Sequence, residues 1–433
     1  MGEGVSPPVP LSLTVTLSPL GTTQCHRSHP PAWERVDATT PVALSLTRNQ
    51  RLECIVSGKG VALNLWYNAS MQNIDAIVAG AGIWGCTVAR SLAEQGRRVL
   101  VLESRPVVGG NVRCETDPET GIEVHMYGSH IFHTHLDGVW KFMRRFIEFN
   151  GYQHKVLARY RGRTYFLPVG LALVNKFFGV ELAPSELPAF MDDETHRKRL
   201  FDAFFKGYTS KQWGRPPDEI DPAIIRRVPV RASYDVNYFN DVNQGIPLTG
   251  YNSLFDRLLD HPNIVVECGR EFDMSAHMSS ALAGRPVYYS GPIDRLFGYR
   301  YGELPWRSLR FEQETLGISD FQGTSVVNYT EADVPYTRIH EFKHYHPENR
   351  EIMLRTKTVI MREYPCAWKS GDEPYYPVNT EESQSLLAKY HEECKRHPWL
   401  VVGGRLGEYR YYDMDQSVGR ALEVASKENL PQQ

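Results

Sequence analysis

Residues 73–111 read NIDAIVAGAGIWGCTVARSLAEQGRRVLVLESRPVVGGN, and this stretch decides the fold. An apolar strand runs into a turn of the pattern Gly-x-Gly-x-x-Gly, followed by an amphipathic helix and a second apolar strand. In such a unit Gly80 allows the tight turn, Gly82 lets the backbone approach a pyrophosphate, and Gly85 lets the helix pack closely on the strand. Glu103 ends the second strand near the usual distance of about 20 residues, where it can accept hydrogen bonds from ribose hydroxyls and would repel a 2′-phosphate. The unit predicts a Rossmann-like domain that binds a dinucleotide other than NADP.

A second glycine pair restricts the choice of cofactor. Gly109 and Gly110 follow Arg105 and precede Asn111. The complete pattern resembles the FAD-binding signature of the glutathione-reductase-like flavoproteins, in which the extra glycines let the chain run against the cofactor. We therefore predict FAD, and an α/β fold with a Rossmann-like FAD-binding domain of glutathione-reductase type, a helical insertion and a mostly antiparallel sheet domain.

Composition excludes several classes of function. The 433-residue chain has a formal net charge of −3, so it has no bulk attraction for nucleic acid or an anionic membrane. Its seven cysteines are odd in number, scattered and without a Cys-x-x-Cys pair, which favours reduced thiols in the cytoplasm. No apolar run approaches the ~18 residues of a membrane helix.

Residues 1–70 differ from everything after them. They are rich in Ser, Thr and Pro and lack sustained periodicity, which predicts a disordered or spurious N-terminal extension. FAD strands usually start a few residues from an N-terminus, which favours Met71 as the start of the functional protein. The alternative is a small β-rich domain that uses Val61–Tyr67.

The remaining chain divides by pattern. We expect the first part of the FAD-binding domain in 71–150, a helical substrate-binding insertion in 151–213, a mixed or antiparallel sheet domain in 214–400 that interleaves with the FAD domain, and a closing strand and helix in 401–433. Within these parts the pattern predicts strands around Ile122–Tyr127 and Ser129–His133, a helix at Leu136–Asn150, and short alternating strands at 155–168 and through 285–361.

Four histidines, His125, His130, His133 and His135, lie close together and suggest a metal site. No cysteine pair or His-Glu-x-x-His pattern accompanies them, and strand alternation would place them on different faces. We predict no metal.

Six further motifs are similar to those of the bacterial UDP-galactopyranose mutase family and occur in the family's order across roughly residues 71–425. They are YGSHIFHT (127–134), GYTSKQWG (207–214), RRVPVR (226–231), VPYTRIHEFKH (334–344), EPYYPV (373–378) and GGRLGEYRYYDMDQ (403–416).

The resemblance implies an isomerase that interconverts UDP-galactopyranose and UDP-galactofuranose without net redox change, for galactofuranose glycan synthesis. In this family N5 of reduced FAD attacks the anomeric carbon, and a flavin–sugar adduct forms. The resemblance also implies a reductant such as NAD(P)H or reduced flavin and a homodimer.

A nucleotide sugar carries a diphosphate, which guanidinium groups bind well. Arg227 and Arg338 match the family's two diphosphate-binding arginines and, with His130, are the expected catalytic residues. Arg231 is the nearest rival to Arg227, and we interpret it as a surface or structural charge.

Aromatic rings suit a planar base, and phenols can donate to phosphate without adding charge. The resemblance assigns the following residues to the substrate: His154, Phe204, Tyr208, Trp213, Tyr238, Tyr376 and Tyr411. Phe204 has a strong alternative as a core residue, because aromatic residues at helical spacing usually pack inside. His154 stands where the family commonly has an asparagine near the sugar.

The resemblance places His130 against the isoalloxazine and Arg405 close to the flavin, where a cation stabilises the reduced anion. Asp413 has the alternative role of a helix N-cap. The expected cofactor-binding residues are Gly80, Gly82, Trp84, Gly85, Glu103, Ser104, Gly110, Asn111, His130, Ile131, Phe272, Arg405, Tyr412, Asp413, Met414 and Ser417.

Two other functions remain open from the sequence. An FAD oxidoreductase of the amine-oxidase type would need an apolar, largely uncharged substrate channel, which the paired arginines and tyrosines disfavour. A nucleotide-sugar binder without flavin is disfavoured by the intact glycines, Glu103 and Arg405.

Overall fold

The structure is a computed structural model that describes residues 73–216 and 230–427. The predictions for residues 1–70, including the start at Met71, lie outside the described residues. The strands are β1 Ala76–Ala79, β2 Val99–Glu103, β3 Cys114–Thr116, β4 Glu123–His125, β5 Phe132–Thr134, β6 Val156–Tyr160, β7 Arg163–Leu167, β8 Asn243–Gly245, β9 Ile264–Cys268, β10 Val287–Tyr289, β11 Trp306–Leu316, β12 Val326–Tyr329, β13 Arg338–Glu341, β14 Thr358–Ala367, β15 Tyr376–Pro377 and β16 Leu400–Val402.

The described residues contain thirteen α-helices. They are α1 Ile83–Glu94, α2 Asp137–Met143, α3 Leu171–Phe178, α4 Leu187–Asp192, α5 Glu194–Phe201, α6 Gly207–Trp213, α7 Gly250–Leu259, α8 Met274–Met278, α9 Ile293–Leu296, α10 Arg350–Met353, α11 Glu381–Cys394, α12 Gly404–Gly407 and α13 Met414–Lys427. A π-helical segment, Asp202–Lys206, joins α5 to α6, and two 3-10 turns occupy Gly110–Val112 and Phe342–Tyr345. None of the helices in the described ranges combines the length and the hydropathy that a membrane span requires.

A five-stranded parallel sheet of order β16-β10-β1-β2-β9 forms the Rossmann-like domain. Every residue of β1 and β2 is buried, as expected for strands that are covered on both faces. The closing strand β16 pairs with β10, and α13 packs against α1, so the chain end returns to the first domain as predicted.

Strand β10 corrects one expectation. The segment RPVYYS (285–290) falls within 285–361, where alternating strands are expected, but all three β10 residues are buried and pair in parallel between β1 and β16. A short fully apolar run carries no alternation that could assign it to one sheet or the other.

A seven-stranded sheet of order β15-β11-β14-β13-β12-β6-β7 forms the second layer. Every pairing in it is antiparallel except β6 with β12. The hairpin β6–β7 therefore joins this sheet, and the helical part of the expected 151–213 insertion begins at Leu171. Helix α2 ends at Met143, well before the predicted end at Asn150, because the chain turns at 144–146 and reaches Asn150 in irregular backbone.

The glycine turns are packed against each other. A Cβ on Gly85 would overlap the carbonyl oxygen of Gly80, so this position holds α1 close to β1. A Cβ on Gly110 would lie 2.9 Å from the Cα of Gly82, and Gly110 also has a positive φ of 55°. Only glycines at these positions let the two turns approach this closely.

Candidate active site

A cavity of about 330 Å³ lies where the chain leaves the carboxyl ends of β1, β2, β10 and β16. This is where open α/β sheets bind their ligands. Twelve of the predicted cofactor residues line it: Gly80, Gly82, Trp84, Glu103, Ser104, Gly110, Asn111, His130, Arg405, Tyr412, Met414 and Ser417.

Four predicted cofactor residues lie elsewhere. Gly85 is buried within α1, and Ile131 packs in the main apolar core. Phe272 packs in a separate apolar cluster, with its ring 6.1 Å from that of Tyr289, so its apolar surface is used in the core. Asp413 does not line the cavity; it precedes α13, and its carbonyl oxygen accepts a hydrogen bond from the backbone of Ser417.

The cavity fits a dinucleotide. A Cβ on Gly82 would meet only the Cα of Gly110, at 3.8 Å, so the backbone here borders open space. The Glu103 carboxylate accepts from the backbone amides of Ala81 (2.7 Å) and Arg105 (2.8 Å), which ties the first turn to the end of β2. Among the described residues, the buried Trp84 Nε1 donor lacks a hydrogen-bond partner and is available to an acceptor in the cavity.

His130 and Arg405 face the cavity from opposite parts of the chain. Burial first, and then the positive charge of Arg405, lower the pKa of His130 to about 4, so the ring is neutral near pH 7. Its Nδ1 lies 2.7 Å from the carbonyl oxygen of Gly128 and must carry the proton, which leaves Nε2 as an acceptor. Arg405 donates to the carbonyl oxygen of Tyr412 at 2.6 Å.

Arg338 is the centre of a second polar cluster, beside the cavity. Its Nη2 donates to the Tyr208 hydroxyl, and its Nε lies 3.3 Å from Oε1 of the buried Glu363. Burial opposes the charge of Arg338, but Glu363, followed by Tyr208 and Tyr376, raises the pKa of Arg338 well above its ordinary value. Burial likewise opposes ionisation of Glu363, but Arg338 and His340 lower the pKa of Glu363 to about 2. The arginine is therefore a permanently charged, fixed anion-binding group.

A buried hydrogen-bonded relay supports Arg338 from behind. Tyr345 donates to the Ser129 hydroxyl, Ser129 pairs with His340 Nδ1, and His340 Nε2 lies 3.2 Å from Glu363 Oε2. The relay runs from the anion-binding arginine to the residue beside His130. Neither Glu363 nor His340 is among the site residues predicted from the sequence. The available signal was a glutamate at the inward-facing position of β14, in the alternation of Met361 and Glu363.

Tyrosines connect the Arg338 cluster to the cavity. The rings of Tyr376 and Tyr411 stack at 5.8 Å, and the guanidinium of Arg405 lies 4.6 Å from the Tyr411 ring centre. Tyr238 is 41% exposed and interacts electrostatically with both Arg338 and Tyr411. The structure thus brings together five predicted substrate residues: Tyr208, Tyr238, Arg338, Tyr376 and Tyr411.

Phe204 does not join this cluster. Its ring packs in the helical core, 5.0 Å from Tyr165 and 5.2 Å from Phe177. Phe204 is therefore a core residue, which is the alternative role given to it above, because aromatic residues at helical spacing usually pack inside. Trp213 ends α6 and is 41% exposed.

His154 is buried near the Arg338 cluster. Its Nδ1 lies 3.0 Å from the Tyr152 hydroxyl, and its ring stacks on Phe239 at 5.6 Å. Burial, then the charge of Arg338, lower the pKa of His154 to about 3, so the residue is neutral at physiological pH. His133 stacks on the same Phe239 ring at 3.6 Å and pairs with Asp241 at 2.7 Å.

Arg227 lies outside the described residues. Its rival Arg231 donates to the carbonyl oxygens of Asn237 and, at 3.1 Å, of Tyr238. These bonds give Arg231 a structural role in holding the Tyr238 segment.

Two described groups of side chains have the donor types of metal ligands, and the chemistry of both argues against an ion. In the first (Cys114, Glu123 and His125), His125 Nδ1 accepts from the backbone of His130, so Nε2 carries the proton and cannot ligate. In the second (Asp320, Glu341 and His344), both Glu341 oxygens already accept from Phe321, Gln322 and Thr358.

The fold and the site define a class: a Rossmann-like enzyme with a nucleotide-cofactor cavity beside an anion-binding arginine–tyrosine cluster. Comparisons with known proteins agree. Residues 78–146 match the model of the NAD(P)-binding Rossmann-like domain, and residues 203–411 match that of UDP-galactopyranose mutase.

Among curated relatives, a probable UDP-galactopyranose mutase of Klebsiella pneumoniae is 39% identical, with 82% of this chain and 95% of the relative covered. A dTDP-fucopyranose mutase of Escherichia coli is 37% identical, with coverage of 81% and 97%. The crystal structure of a reduced UDP-galactopyranose mutase shares the fold, with a TM-score of 0.58, 17% identity and coverage of 82% and 95%. The chain belongs to the UDP-galactopyranose mutase family and is an isomerase of the mutase type.

Proposed function

We propose that this protein interconverts UDP-galactopyranose and UDP-galactofuranose with FAD bound in the cavity at the strand ends. The observation that carries the proposal is a series of neighbouring groups that leads from the Arg338–Tyr208 pair to the cavity. Tyr376 interacts electrostatically with Arg338 and stacks on Tyr411, and Arg405 at the cavity lies over the Tyr411 ring. A diphosphate held by Arg338 and the phenols would place its sugar beside the cavity that holds the cofactor.

We infer a cofactor domain of glutathione-reductase type. Gly109 and Gly110 bring the chain back against the first glycine turn, with the amide of Gly109 donating to Ala81 at 2.9 Å. Glu103 and the N-terminus of α1 are suited to the ribose and the pyrophosphate. Ser104, Asn111, Tyr412, Met414 and Ser417 would complete the cavity wall around FAD.

Each side chain then has a task that needs no side-chain nucleophile, because reduced FAD supplies a nucleophile for the anomeric carbon. Arg338, assisted by Arg227, would bind and stabilise the departing and returning diphosphate. Arg405 would stabilise negative charge on the reduced cofactor, and the neutral His130 would accept a hydrogen bond through Nε2. We expect the reducing equivalents to come from NAD(P)H or a reduced flavin, and we expect the protein to be a homodimer.

The site is ill suited to the amine-oxidase alternative. An amine-oxidase-type enzyme would need an apolar, largely uncharged substrate channel, whereas this site contains a fixed guanidinium and a buried carboxylate. The same groups suit an anionic substrate.

A second nucleotide sugar is a specific candidate. The Escherichia coli relative, a dTDP-fucopyranose mutase, has nearly the same identity and coverage as the Klebsiella relative. His154, near Arg338, makes the sugar side of this pocket differ from the usual asparagine pattern of the UDP-galactopyranose enzymes.

The test is an isomerisation assay on purified full-length protein. A yellow flavin spectrum is expected first. UDP-galactofuranose and dTDP-fucofuranose are then supplied separately, each with and without dithionite, and the pyranose products are separated by chromatography. We expect dithionite-dependent conversion of UDP-galactofuranose. Preferential conversion of dTDP-fucofuranose would instead identify dTDP-fucose as the substrate. Oxidation of either substrate would support the oxidoreductase alternative.

A further inference from the structure

Lys211 connects two elements that carry predicted substrate residues. It lies on α6, and its ammonium donates to the carbonyl oxygens of Tyr329 (2.7 Å) and Tyr336 (2.9 Å). These carbonyls stand at the two ends of the connection between β12 and β13. The lysine therefore binds both sides of that connection at once.

A backbone hydrogen bond also joins the two ends of the connection between β12 and β13. The amide of Tyr329 donates to Thr337 at 2.8 Å, and the next residue along the chain is Arg338. On the helix side, Tyr208 lies three residues before Lys211, on the same face of α6. Lys211 thus bridges the segment that ends in Arg338 and the helix that presents Tyr208.

The backbone of α6 packs directly on this connection. A Cβ on Gly207 would overlap the carbonyl oxygen of Thr330 and would lie 2.8 Å from the amide nitrogen of Ala332. Arg307 of β11 donates to the carbonyl oxygens of Gln212 (2.9 Å) and Lys211 (3.3 Å) at the end of the helix. The helix is therefore held against the sheet at its start by a glycine contact and at its end by Arg307, with Lys211 between them.

We propose that Lys211 is a positioning residue for substrate binding, which sets the distance between the Arg338 guanidinium and the Tyr208 hydroxyl at the nucleotide diphosphate. This inference rests on the proposed function, because the diphosphate is the ligand that both groups would contact. The link is charge-assisted and strong for a single side chain.

The electrostatic surroundings of Lys211 are consistent with a charged ammonium that holds the two segments together. Burial lowers the pKa of Lys211 to about 8, and the nearby Asp333 and Glu331 oppose that shift. The ammonium is thus still charged at neutral pH. Two hydrogen bonds to main-chain oxygens compensate for the burial of the ammonium.

The experiment is a double-mutant cycle on UDP affinity, measured by calorimetry on the flavin-loaded full chain. Lys211→Met is made in the wild-type and in the Arg338→Ala background. The matched control is Lys389→Met, on the exposed face of α11. UDP is the probe because its binding requires neither the sugar nor turnover.

We expect Lys211→Met to weaken UDP binding about tenfold in the wild-type background and less than twofold when Arg338 is absent, because the lysine acts through that residue. Flavin content and Lys389→Met binding should match wild type. The same loss in both backgrounds, or no loss in the wild-type background, would overturn the positioning role.

A second variant tests the positioning role of Lys211 if Lys211→Met does not fold. If Lys211→Met yields no folded protein, the cycle is run with Lys211→Gln, whose shorter, uncharged amide keeps a main-chain donor but loses the charge. We expect a smaller loss of UDP affinity than the tenfold above, again present only when Arg338 is present, and an equal loss in both backgrounds would overturn the proposal. Wild-type protein that binds no UDP would refute the proposed function, whereas UDP binding with additive losses would refute the Lys211 inference alone.

Discussion

Removal of Arg338 should have two separable effects, one on the substrate and one on the fold. Arg338→Ala leaves the buried Glu363 carboxylate without the cation 3.3 Å from it. Two unit charges at that separation attract by about 5 kcal/mol at an effective dielectric constant of about 20. Arg338 is 29% exposed, and His340 and Thr337 still reach Glu363. We therefore expect a net loss of about 2–3 kcal/mol in the free energy of unfolding.

The second effect is on catalysis. Loss of one charge-assisted contact with the diphosphate should cost about 1.5–3 kcal/mol, which is roughly one to two decades in kcat/KM. Flavin content should remain that of wild type, since Arg338 does not line the cofactor cavity.

Arg338→Ala combined with Glu363→Gln separates the two effects. Neutralising Glu363 should restore about 1–2 kcal/mol of stability to the Arg338→Ala protein, because no unpaired buried charge remains, while turnover stays low. Urea unfolding and steady-state kinetics measure the two quantities. Arg362→Ala is the control: Arg362 lies next to Glu363 on β14 but pairs with the exposed Glu314, so its loss should change stability by less than about 1 kcal/mol. If Glu363→Gln gives no recovery of stability, or if it restores turnover, the reasoning about this pair is wrong.

Four further changes test the cofactor turn, the second arginine, the N-terminal segment and His154. Gly82→Val should yield colourless protein, because a side chain there occupies the approach of the pyrophosphate, and a fully flavin-loaded variant by absorbance would contradict that assignment. Arg227→Ala should lower kcat/KM by roughly one to two decades with flavin retained, and Arg231→Ala should be milder; the reverse order in parallel assays would shift the diphosphate role to Arg231. Deletion of residues 1–70 should leave flavin content and activity unchanged, whereas loss of folding would show that the segment supports the main body. His154→Asn should make stability less sensitive to acid. The pKa of His154 in the folded protein, about 3, lies below the ordinary 6.5, so this residue lowers stability as pH falls from 6.5 toward 3. Its removal should spare about 2.5 kcal/mol between pH 7 and pH 4.5 in urea titrations.

Local sequence rules explain the part of the fold that could be predicted. The turn from Gly80 to Gly85, the helix after it and the strand that ends at Glu103 are specified within one continuous stretch, and the structure has them there. The closing strand and helix were also predicted from a continuous stretch, in which an apolar strand, a glycine turn, a loop and an amphipathic helix follow one another.

What the sequence could not provide was register and packing between distant segments. Glu363 becomes important only because β13 and β14 pair with Arg338 directly opposite it, and no local pattern encodes that pairing. Phe204, by contrast, was included among the substrate residues although it packs in the aromatic core. Its helical spacing is equally compatible with a ligand slot and with that core. Lys211 could not be found from sequence for the same reason, because its partners are main-chain oxygens more than a hundred positions away.

We propose above all that this family member uses reduced FAD to isomerise UDP-galactose between its pyranose and furanose forms, with Arg338 at the diphosphate. The most direct measurement supplies UDP-galactofuranose to the flavin-loaded wild-type protein under anaerobic conditions, with and without dithionite, and follows UDP-galactopyranose by chromatography. We expect rapid conversion in the reduced sample, little in the oxidised sample, and loss of the reduced rate in Arg338→Ala. Reduced, flavin-loaded protein that binds UDP but converts none of the furanose, or conversion at equal rates with and without reduction, would contradict the proposal.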